Sequence, residues 1–259
     1  MYQEERISAI KQYLEQHQRV SIQDICEIFS ISRDTARRDL LKMDELAMIH
    51  RTHGGAVLPP ASKEIYKYKD RLVRQSGKKR AIGLHAASLV RDGDFILMDA
   101  STTVQVTADH LSARDVVVVT NSIDIADALS RKEEVRTYLL GGELNPQHRF
   151  LYGQSTIAKL ADYQVDKLFL GACGITASGL SYPHEEDGDV KREMIRRADQ
   201  VIVLADHTKF GQGMFYKIAG LESIDLLITD RQPDQPLMDM LAEHKVELLI
   251  VPDVSLDGE

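Results

Sequence analysis

Residues 32–40 read Ser-Arg-Asp-Thr-Ala-Arg-Arg-Asp-Leu, and this stretch decides how the first part of the chain is expected to fold. Its periodicity predicts a helix that Ser32 caps and that runs to about Glu45. A shorter amphipathic helix is predicted just before it, over residues 21–29, with the serine and acid of a capping box at residues 21–24. Two short helices around a tight turn indicate a helix-turn-helix. The inward-facing residues of the second helix are Ala36, Leu40 and Met43.

Residues 51–56, Arg-Thr-His-Gly-Gly-Ala, follow the second helix, and their paired glycines permit the tight turn of a hairpin or wing. In a helix-turn-helix, the first residues of the second helix lie in the major groove of DNA. Arginine there holds guanine through two hydrogen bonds or pairs with phosphate. We therefore expect bases to be contacted by Arg33, Thr35 and Arg38, and phosphates by Ser32, Arg37, Arg51 and His53.

A basic helix face has an alternative explanation, because three-helix segments with solvated charges are common in proteins that bind no nucleic acid. Residues 1–60 are not even net basic, with eight Lys and Arg against nine Asp and Glu. The acidic residues lie mostly off the expected DNA-facing surface, whereas the arginines cluster at the start of the second helix. The turn, the arginine placement and the glycine hairpin together favour DNA binding.

Charge divides unevenly along the chain, which carries 32 Lys and Arg against 40 Asp and Glu. Residues 1–80 have a balance of +5 and residues 81–259 a balance of −13. Much of the basic excess follows the diproline at residues 59–60, which predicts a domain boundary. The basic stretch either adds phosphate contacts or is a solvated helix leading into a second domain. The acidic second part is expected to face solvent, a ligand or another subunit.

Length and composition indicate a two-domain cytoplasmic protein, since 259 residues exceed one typical domain. No apolar run approaches the roughly 20 residues of a membrane span, and the polar, acidic start is unlike a secretory signal. Cys26 and Cys173 fall in separate predicted domains without a CxxC partner, so neither a disulfide nor a zinc site is expected. His, Asp and Glu lack metal-ligand spacing, and no cofactor is expected.

From residue 77 onward, short apolar runs alternate with helical stretches. Near-continuous apolar strands joined by helices predict a mostly parallel sheet covered on both faces, that is, a Rossmann-like α/β domain. In such open sheets, ligands bind beyond the carboxyl ends of the strands. The predicted strands are residues 95–98, 116–119, 137–140, 168–170, 201–204, 226–228 and 248–251.

Polar residues follow several of these strands, at the ends where a ligand is expected. Hydroxyls and free backbone N–H groups at a helix N-terminus form an anion cradle. Each motif alone is more often a cap or a turn, but their convergence from successive strands predicts a polar anion pocket. The candidates are the hydroxyl and amide residues Ser101, Thr102, Thr103, Asn121 and Ser122, the cations Lys191 and Lys209, and the carboxylates Asp99, Glu186 and Asp206, which suit sugar hydroxyls.

Residues 32–40, followed by the hairpin at 51–56, resemble the DeoR family of bacterial transcriptional regulators. The family pattern there is Thr-Ile-Arg-Arg-Asp-Leu, and Ala36 replaces the isoleucine on the buried side. The second part resembles the effector domain of the same family at residues 190–192, Val-Lys-Arg, and at residues 204–211, Leu-Ala-Asp-His-Thr-Lys-Phe-Gly.

This resemblance implies a winged helix-turn-helix domain and an effector domain similar in fold to ribose-5-phosphate isomerase. It also implies a phosphorylated sugar as effector and control, more often repression, of genes for carbohydrate uptake and breakdown. We expect a DNA-binding domain at residues 1–58, a basic linker at 59–76 and an effector domain at 77–252. Ser101 stands where the family usually has glycine, which is expected to alter effector choice. One short recognition helix offers too little contact for specificity, so a dimer or tetramer is expected.

The alternative is a sugar-phosphate isomerase-like enzyme with an appended DNA-binding domain. Isomerisation needs a base that moves a proton and groups that stabilise an enediolate. Glu186 and Lys191 are candidates, but nothing in the sequence places them on one substrate atom, and the DNA-binding motif would be unexplained. The isomerase loop that carries an aspartate resembles residues 171–174, where this chain has Cys173 without an identifiable activating histidine. We therefore expect a regulator without catalytic residues.

Overall fold

The structure is a computed structural model that divides the chain into two compact units, Met1–Ser62 and Lys63–Glu259. The division falls within the stretch predicted as a linker. No helix of the described residues is long and apolar enough to cross a membrane. The described residues are 3–17, 19–45, 48–52, 54–57, 67–74 and 76–251.

Three helices and a small antiparallel sheet build the first unit. The helices are α1 (Gln3–His17), α2 (Ile22–Phe29) and α3 (Arg33–Glu45). The strands are β1 (Arg19–Ser21), β2 (His50–Thr52) and β3 (Gly55–Val57), in the order β1-β3-β2. This is the winged helix-turn-helix arrangement that the sequence predicted.

Local hydrogen bonds set the turn between α2 and α3. The Ser21 hydroxyl accepts from the N–H of Asp24 at 3.0 Å, and the Asp24 carboxylate accepts from the N–H of Ser21 at 2.9 Å, which is the predicted capping box. Beyond α2, Ser30 adopts a left-handed conformation with φ of 51° and ends the helix. The Ser32 hydroxyl then accepts from the N–H of Thr35 at 3.2 Å and caps α3, as predicted.

The wing packs closely on β1. A Cβ atom added to Gly55 would lie 2.0 Å from the carbonyl oxygen of Val20, so only glycine fits this approach. His53, predicted as a phosphate contact, lies outside the described residues. The core beneath the wing includes the fully buried side chains Ile10, Leu14, Ile25, Leu40 and Met43.

Asp39, from the stretch that predicted α3, is fully buried rather than exposed. Its carboxylate accepts from Arg6 Nε at 2.7 Å and from a second guanidinium nitrogen at 3.2 Å, and it also accepts from the Gln3 side chain at 2.9 Å. These bonds join α3 to α1. Asp39 therefore supports the position of α3 instead of facing solvent.

A fully parallel seven-stranded sheet forms the centre of the second unit, as predicted. The strand order is β15-β14-β12-β9-β4-β5-β6, and each neighbouring pair is parallel. The strands are β4 (Phe95–Met98), β5 (Val116–Thr120), β6 (Val135–Leu139), β9 (Val165–Gly171), β12 (Ala198–Leu204), β14 (Leu226–Thr229) and β15 (Glu247–Ile250).

Helices cover both faces of this sheet. One face carries α5 (Ser76–Ser88), α6 (Thr102–Asp109) and α7 (Ile123–Leu129). The other carries α8 (Gln154–Leu160), α9 (Glu185–Arg196) and α10 (Gln235–Glu243). Successive side chains of a strand point to opposite faces of the sheet. Ile96 and Met98 pack against α5, α6 and α7, and Leu97 packs on the face covered by α8, α9 and α10. A central strand such as β4 therefore carries apolar residues on both faces of the sheet.

The strand order reverses between β4 and β9. From β4 the chain adds β5 and β6 on one side, and β9 begins the other side. In open α/β sheets, the crevice at such a reversal, beyond the carboxyl ends of the strands, is where ligands bind. Asp99 directly follows β4 and Gly171 ends β9, so these residues mark that crevice.

Several short elements were not predicted from the sequence. Strand β7 (Glu143–Asn145) pairs with β8 (Phe150–Tyr152), and β10 (Gly174–Thr176), β11 (Gly179–Tyr182) and β13 (Tyr216–Ala219) form a second antiparallel sheet. Helix α4 (Tyr68–Val73) lies in the stretch predicted as a linker, for which a helix leading into the second domain was one of the two alternatives. Elements this short show too little periodicity to be recognised.

Candidate functional site

Helix α3 presents an exposed cationic face over its N-terminal half. Thr35 is half-buried on this face, and its hydroxyl oxygen lies 2.9 Å from that of Ser32. The Nε of Arg38 donates to the backbone carbonyl of Asp34 at 3.4 Å. The exposed residues among the predicted DNA contacts of this helix are Ser32, Arg33, Arg37 and Arg38.

The ion pair on this face is weak. Arg37 lies 3.8 Å from the carboxylate of Asp34, and their side chains are 59% and 81% exposed. Exposed pairs of this kind contribute about 0–1 kcal/mol, so the guanidinium can leave Asp34 for a phosphate at little cost. Arg51 is exposed on β2, opposite Ala56 of β3, and adds a cation to the same unit.

A pocket opens in the second unit at the carboxyl ends of β4 and β9, where the strand order reverses. Its cavity volume is about 30 Å³, and the space out to and including its open mouth is about 400 Å³. Its walls come from the parallel sheet, from α9 and from the short elements that the sequence did not predict. The lining residues are Arg71, Asp99, Ala100, Ser101, His148, Phe150, Gly171, Ala172, Cys173, Tyr182, His184, Asp187 and Lys191.

A buried ion cluster occupies one wall of this pocket. The Lys191 ammonium lies 2.7 Å from Asp99 and 2.9 Å from Asp187. The second oxygen of Asp99 accepts from the N–H of Gly171 at 3.0 Å. The ammonium also lies 5.0 Å from the ring centre of Tyr182. Two carboxylates thus compete for one cation, and Lys191 is already neutralised within the protein.

The charge state of Lys191 follows from these neighbours. Burial alone lowers the pKa of its ammonium, but the carboxylates of Asp187 and Asp99 outweigh burial and raise that pKa above its usual value. Lys191 is therefore charged throughout the neutral range. The cluster fixes the position of Asp99, and through it the backbone at the end of β9.

Three of the ten predicted effector residues line the pocket: Asp99, Ser101 and Lys191. Ser101 caps α6 by accepting from the N–H of Thr103 at 3.2 Å. The other seven lie outside the lining and make mostly structural contacts. These are Thr102 and Thr103, buried in the first turn of α6; Asn121, bonded to the Leu151 carbonyl; Ser122, which caps α7; Asp206, which caps a short 3-10 turn; Lys209, which ends that turn; and Glu186, exposed on α9.

Five polar lining residues were not among the predicted site residues. Asp187 carried a signal, because it precedes Lys191 by one helical turn of four residues, whereas Glu186 precedes it by five. The remaining four come from elements that the sequence did not indicate, or from the start of α9. They are Arg71, His148, Tyr182 and His184.

The thiol of Cys173, in the pocket wall, is expected to be unreactive. Burial raises its pKa to about 11, so it stays protonated at neutral pH, and the thiolate is the nucleophilic form. We expect iodoacetamide to leave Cys173 unmodified in the folded protein at neutral pH and to modify it in concentrated urea, as measured by mass spectrometry. Rapid modification of the folded protein would contradict the raised pKa of this thiol.

Comparison with known proteins gives the family of the chain. Residues 6–61 match the DeoR-like helix-turn-helix domain, and residues 74–231 match the DeoR C terminal sensor domain. The HTH-type transcriptional repressor GlcR of Bacillus subtilis (strain 168) is 54% identical over 250 residues, which are 96% of this chain and 97% of GlcR. The glycerol-3-phosphate regulon repressor of Escherichia coli (strain K12) is 31% identical over 251 residues, 96% of this chain and 99% of that protein.

The second unit was also expected to resemble ribose-5-phosphate isomerase. The enzyme from Methanocaldococcus jannaschii is 18% identical, with a TM-score of 0.38, over 51% of this chain and 53% of the enzyme.

A winged helix-turn-helix unit followed by an α/β sensor unit defines a DNA-binding transcriptional regulator. The chain belongs to the DeoR family of such regulators, as its motifs indicated. The family and the relatives, which are named as repressors, also confirm that the chain is a regulator and not an enzyme.

Proposed function

We propose that the protein represses genes of carbohydrate uptake and breakdown, and that a phosphorylated sugar in the pocket modulates its binding to operator DNA. The observation that carries this proposal is the convergence of carboxylates, a hydroxyl and cations in one crevice at the carboxyl ends of β4 and β9. This mixture suits a ligand that has both hydroxyl groups and an anionic group. The names of the two relatives, GlcR repressor and glycerol-3-phosphate regulon repressor, support repression, and the second names the regulon of a phosphorylated compound.

The two kinds of group in the pocket have separate roles. Asp99 and Asp187 carry carboxylate oxygens that accept hydrogen bonds from sugar hydroxyls. Ser101 places its hydroxyl at the N-terminus of α6, where backbone N–H groups favour an anion. Lys191 holds the two carboxylates in place and is a positioning residue in this arrangement.

Coupling to DNA requires that the ligand bind the two states of the protein differently. A sugar phosphate releases the operator only if it binds the DNA-free form more tightly. We propose a homodimer or tetramer, because two copies of α3 on two half-sites supply the contact area that one copy lacks. The ligand then changes the relative placement of the two recognition helices.

The test is binding of fluorescent DNA from the promoter region of the protein's own gene, measured by anisotropy against unrelated DNA. Ribose 5-phosphate, glucose 6-phosphate, fructose 6-phosphate and glycerol 3-phosphate are titrated in, each beside its unphosphorylated parent. We expect specific, salt-sensitive binding that one ester releases and its parent does not. Specific binding that no ester changes would retain the regulator and overturn the role given to the pocket.

Gly171→Ala is expected to abolish the response to the ester. A Cβ atom at Gly171 would lie 2.1 Å from the hydroxyl oxygen of Ser101. Ser101 would therefore have to move, and the added methyl group would occupy the space beside its hydroxyl. The measurement is ester-induced release of the operator, with thermal unfolding to confirm the fold. Gly141→Ala is the matched control, because a Cβ there meets no atom within 4 Å. Equal responses from the two variants would contradict the placement of the ligand beside Ser101.

A further inference from the structure

Helix α4, which follows the DNA-binding domain along the chain, is attached to the sensor unit at both ends. Tyr68 is fully buried, its N–H donates to the Gln147 carbonyl at 3.0 Å, and its hydroxyl donates to the Gln105 side chain. At the other end, the ammonium of Lys79 donates to the carbonyl of Arg71. A helix of only six residues is therefore held against the pocket by three bonds.

The side chain of Arg71 enters the pocket from α4. Its guanidinium carbon lies 5.3 Å from the ring centre of Tyr68. Its Nε is buried and has no hydrogen-bond partner. Across the part of the chain that the structure describes, Arg71 forms no ion pair. A buried donor without a partner is unfavourable, and it marks a place where a ligand can supply the acceptor.

Arg71 is also the cation of the pocket that lacks a carboxylate partner among the described residues. Lys191, the other cation among the lining residues, is neutralised by Asp99 and Asp187. The Nδ1 of His148 is likewise buried without a partner. Burial, followed by the charge of Arg71, lowers the pKa of His148, so its imidazole is neutral at neutral pH and can donate one hydrogen bond. Among the described residues that line the pocket, the buried side-chain atoms without a hydrogen-bond partner are Arg71 Nε, His148 Nδ1 and Asp187 Oδ1, and the first two can donate to an anion.

We propose that Arg71 binds the anionic group of the effector, and that this contact couples the pocket to the chain segment that leads to the DNA-binding domain. The inference rests on the proposed function, because it assigns a residue to the ligand of that pocket. The planar guanidinium matches a phosphate through two parallel hydrogen bonds. The buried Nε of Arg71 lacks an acceptor within the protein, and a bound phosphate removes that penalty and strengthens the attachment of α4.

The same four esters and their parents test this proposal by calorimetric titration of the full-length protein. Arg71→Gln is expected to weaken the ester that the wild type binds by roughly 10- to 100-fold, and to weaken its parent far less. Arg71→Lys keeps the positive charge but lacks the planar guanidinium, and it is expected to give an intermediate loss of ester affinity. Lys69→Gln removes the same charge from an exposed position of α4, outside the pocket, and is expected to bind like the wild type.

Hydrogen exchange of the wild type tests the coupling without a substitution. We expect the ester to slow exchange of the amides of α4 as well as those at the start of α6. Protection confined to α6, or an Arg71→Gln variant that binds the ester like the wild type, would overturn the role of Arg71 and leave the proposed function intact. A wild type that binds none of the four esters would overturn both proposals.

Discussion

Lys191→Met is expected to lower the free energy of unfolding of the sensor unit by about 3–5 kcal/mol, because it leaves two buried carboxylates facing each other without a counter-charge. The Lys191 and Asp99 side chains are only 3% and 1% exposed, so water cannot replace the lost ammonium. Since the chain has no tryptophan, the measurement is urea unfolding followed by far-ultraviolet circular dichroism. The ester response should be lost in the same variant.

Lys159→Met is the matched control for this prediction. Lys159 of α8 also pairs with an aspartate, Asp162 just beyond the end of that helix, at 3.0 Å, but these side chains are 54% and 63% exposed. Such a pair contributes at most about 1 kcal/mol. Equal losses in the two variants would contradict the buried cluster.

The contribution of Lys191 has a defined pH dependence. Its pKa is raised in the folded state, so the stabilisation is fully present below the unfolded-state pKa and is lost only as pH rises through the folded-state pKa. The wild type and Lys191→Met should therefore keep the same difference in stability across the neutral range. On the alkaline side, the difference should shrink only under strongly alkaline conditions.

Arg38→Ala is expected to weaken operator binding by about 1–3 kcal/mol per recognition helix, because a bidentate contact to a base is lost. The guanidinium of Arg38 is exposed on α3 and makes one long intramolecular bond, so little protein stability depends on it. The measurement is anisotropy with operator DNA and with unrelated DNA at one salt concentration. We expect the ratio of the two affinities to fall.

Arg37→Ala separates base contact from phosphate contact. Arg37 is a predicted phosphate contact, so its removal should weaken binding to operator and to unrelated DNA about equally. It should also reduce the slope of the salt dependence by about one unit. If Arg38→Ala behaved like Arg37→Ala on both DNAs, the assignment of Arg38 to a base would be wrong.

The first unit was predictable because its signals are local. A capping box lies within four residues, and α3 shows its buried face by helical spacing, so the bonds that form these elements are adjacent in sequence. The role of Asp39 was not predictable in this way. Its partner Arg6 lies on another helix, and a charged residue at that position indicates an exposed face until the contact is known.

The parallel sheet and part of the pocket were predictable for a different reason. Residues that follow parallel strands converge at one edge of the sheet, which placed Asp99 and Ser101 in the crevice. Neighbouring residues can still point away from the pocket. Thr102 and Thr103 are buried in the first turn of α6, and the Asn121 side chain donates to the backbone carbonyl of Leu151. Position after a strand predicts proximity to the site, not the direction of each side chain.

Residues contributed by α4 and the antiparallel strands could not be placed from the sequence. Arg71 looked like one cation among many in a basic linker, and only the burial of its Nε beside His148 distinguishes it. Lys191 was predicted as a cation for an anion, and it does line the pocket. Its ammonium is paired with the carboxylates of Asp99 and Asp187, so its main contacts are within the protein and not with a ligand anion.

The central claim is that a sugar phosphate in the sensor pocket and operator DNA affect each other's binding, and a closed binding cycle on the full-length protein tests it most directly. Operator affinity is measured with and without the effective ester, and ester affinity is measured with and without saturating operator. We predict that both affinities fall by the same factor, roughly 5- to 150-fold, because coupling between two sites is reciprocal. Affinities that are unchanged in both directions, although each partner binds, would contradict the account.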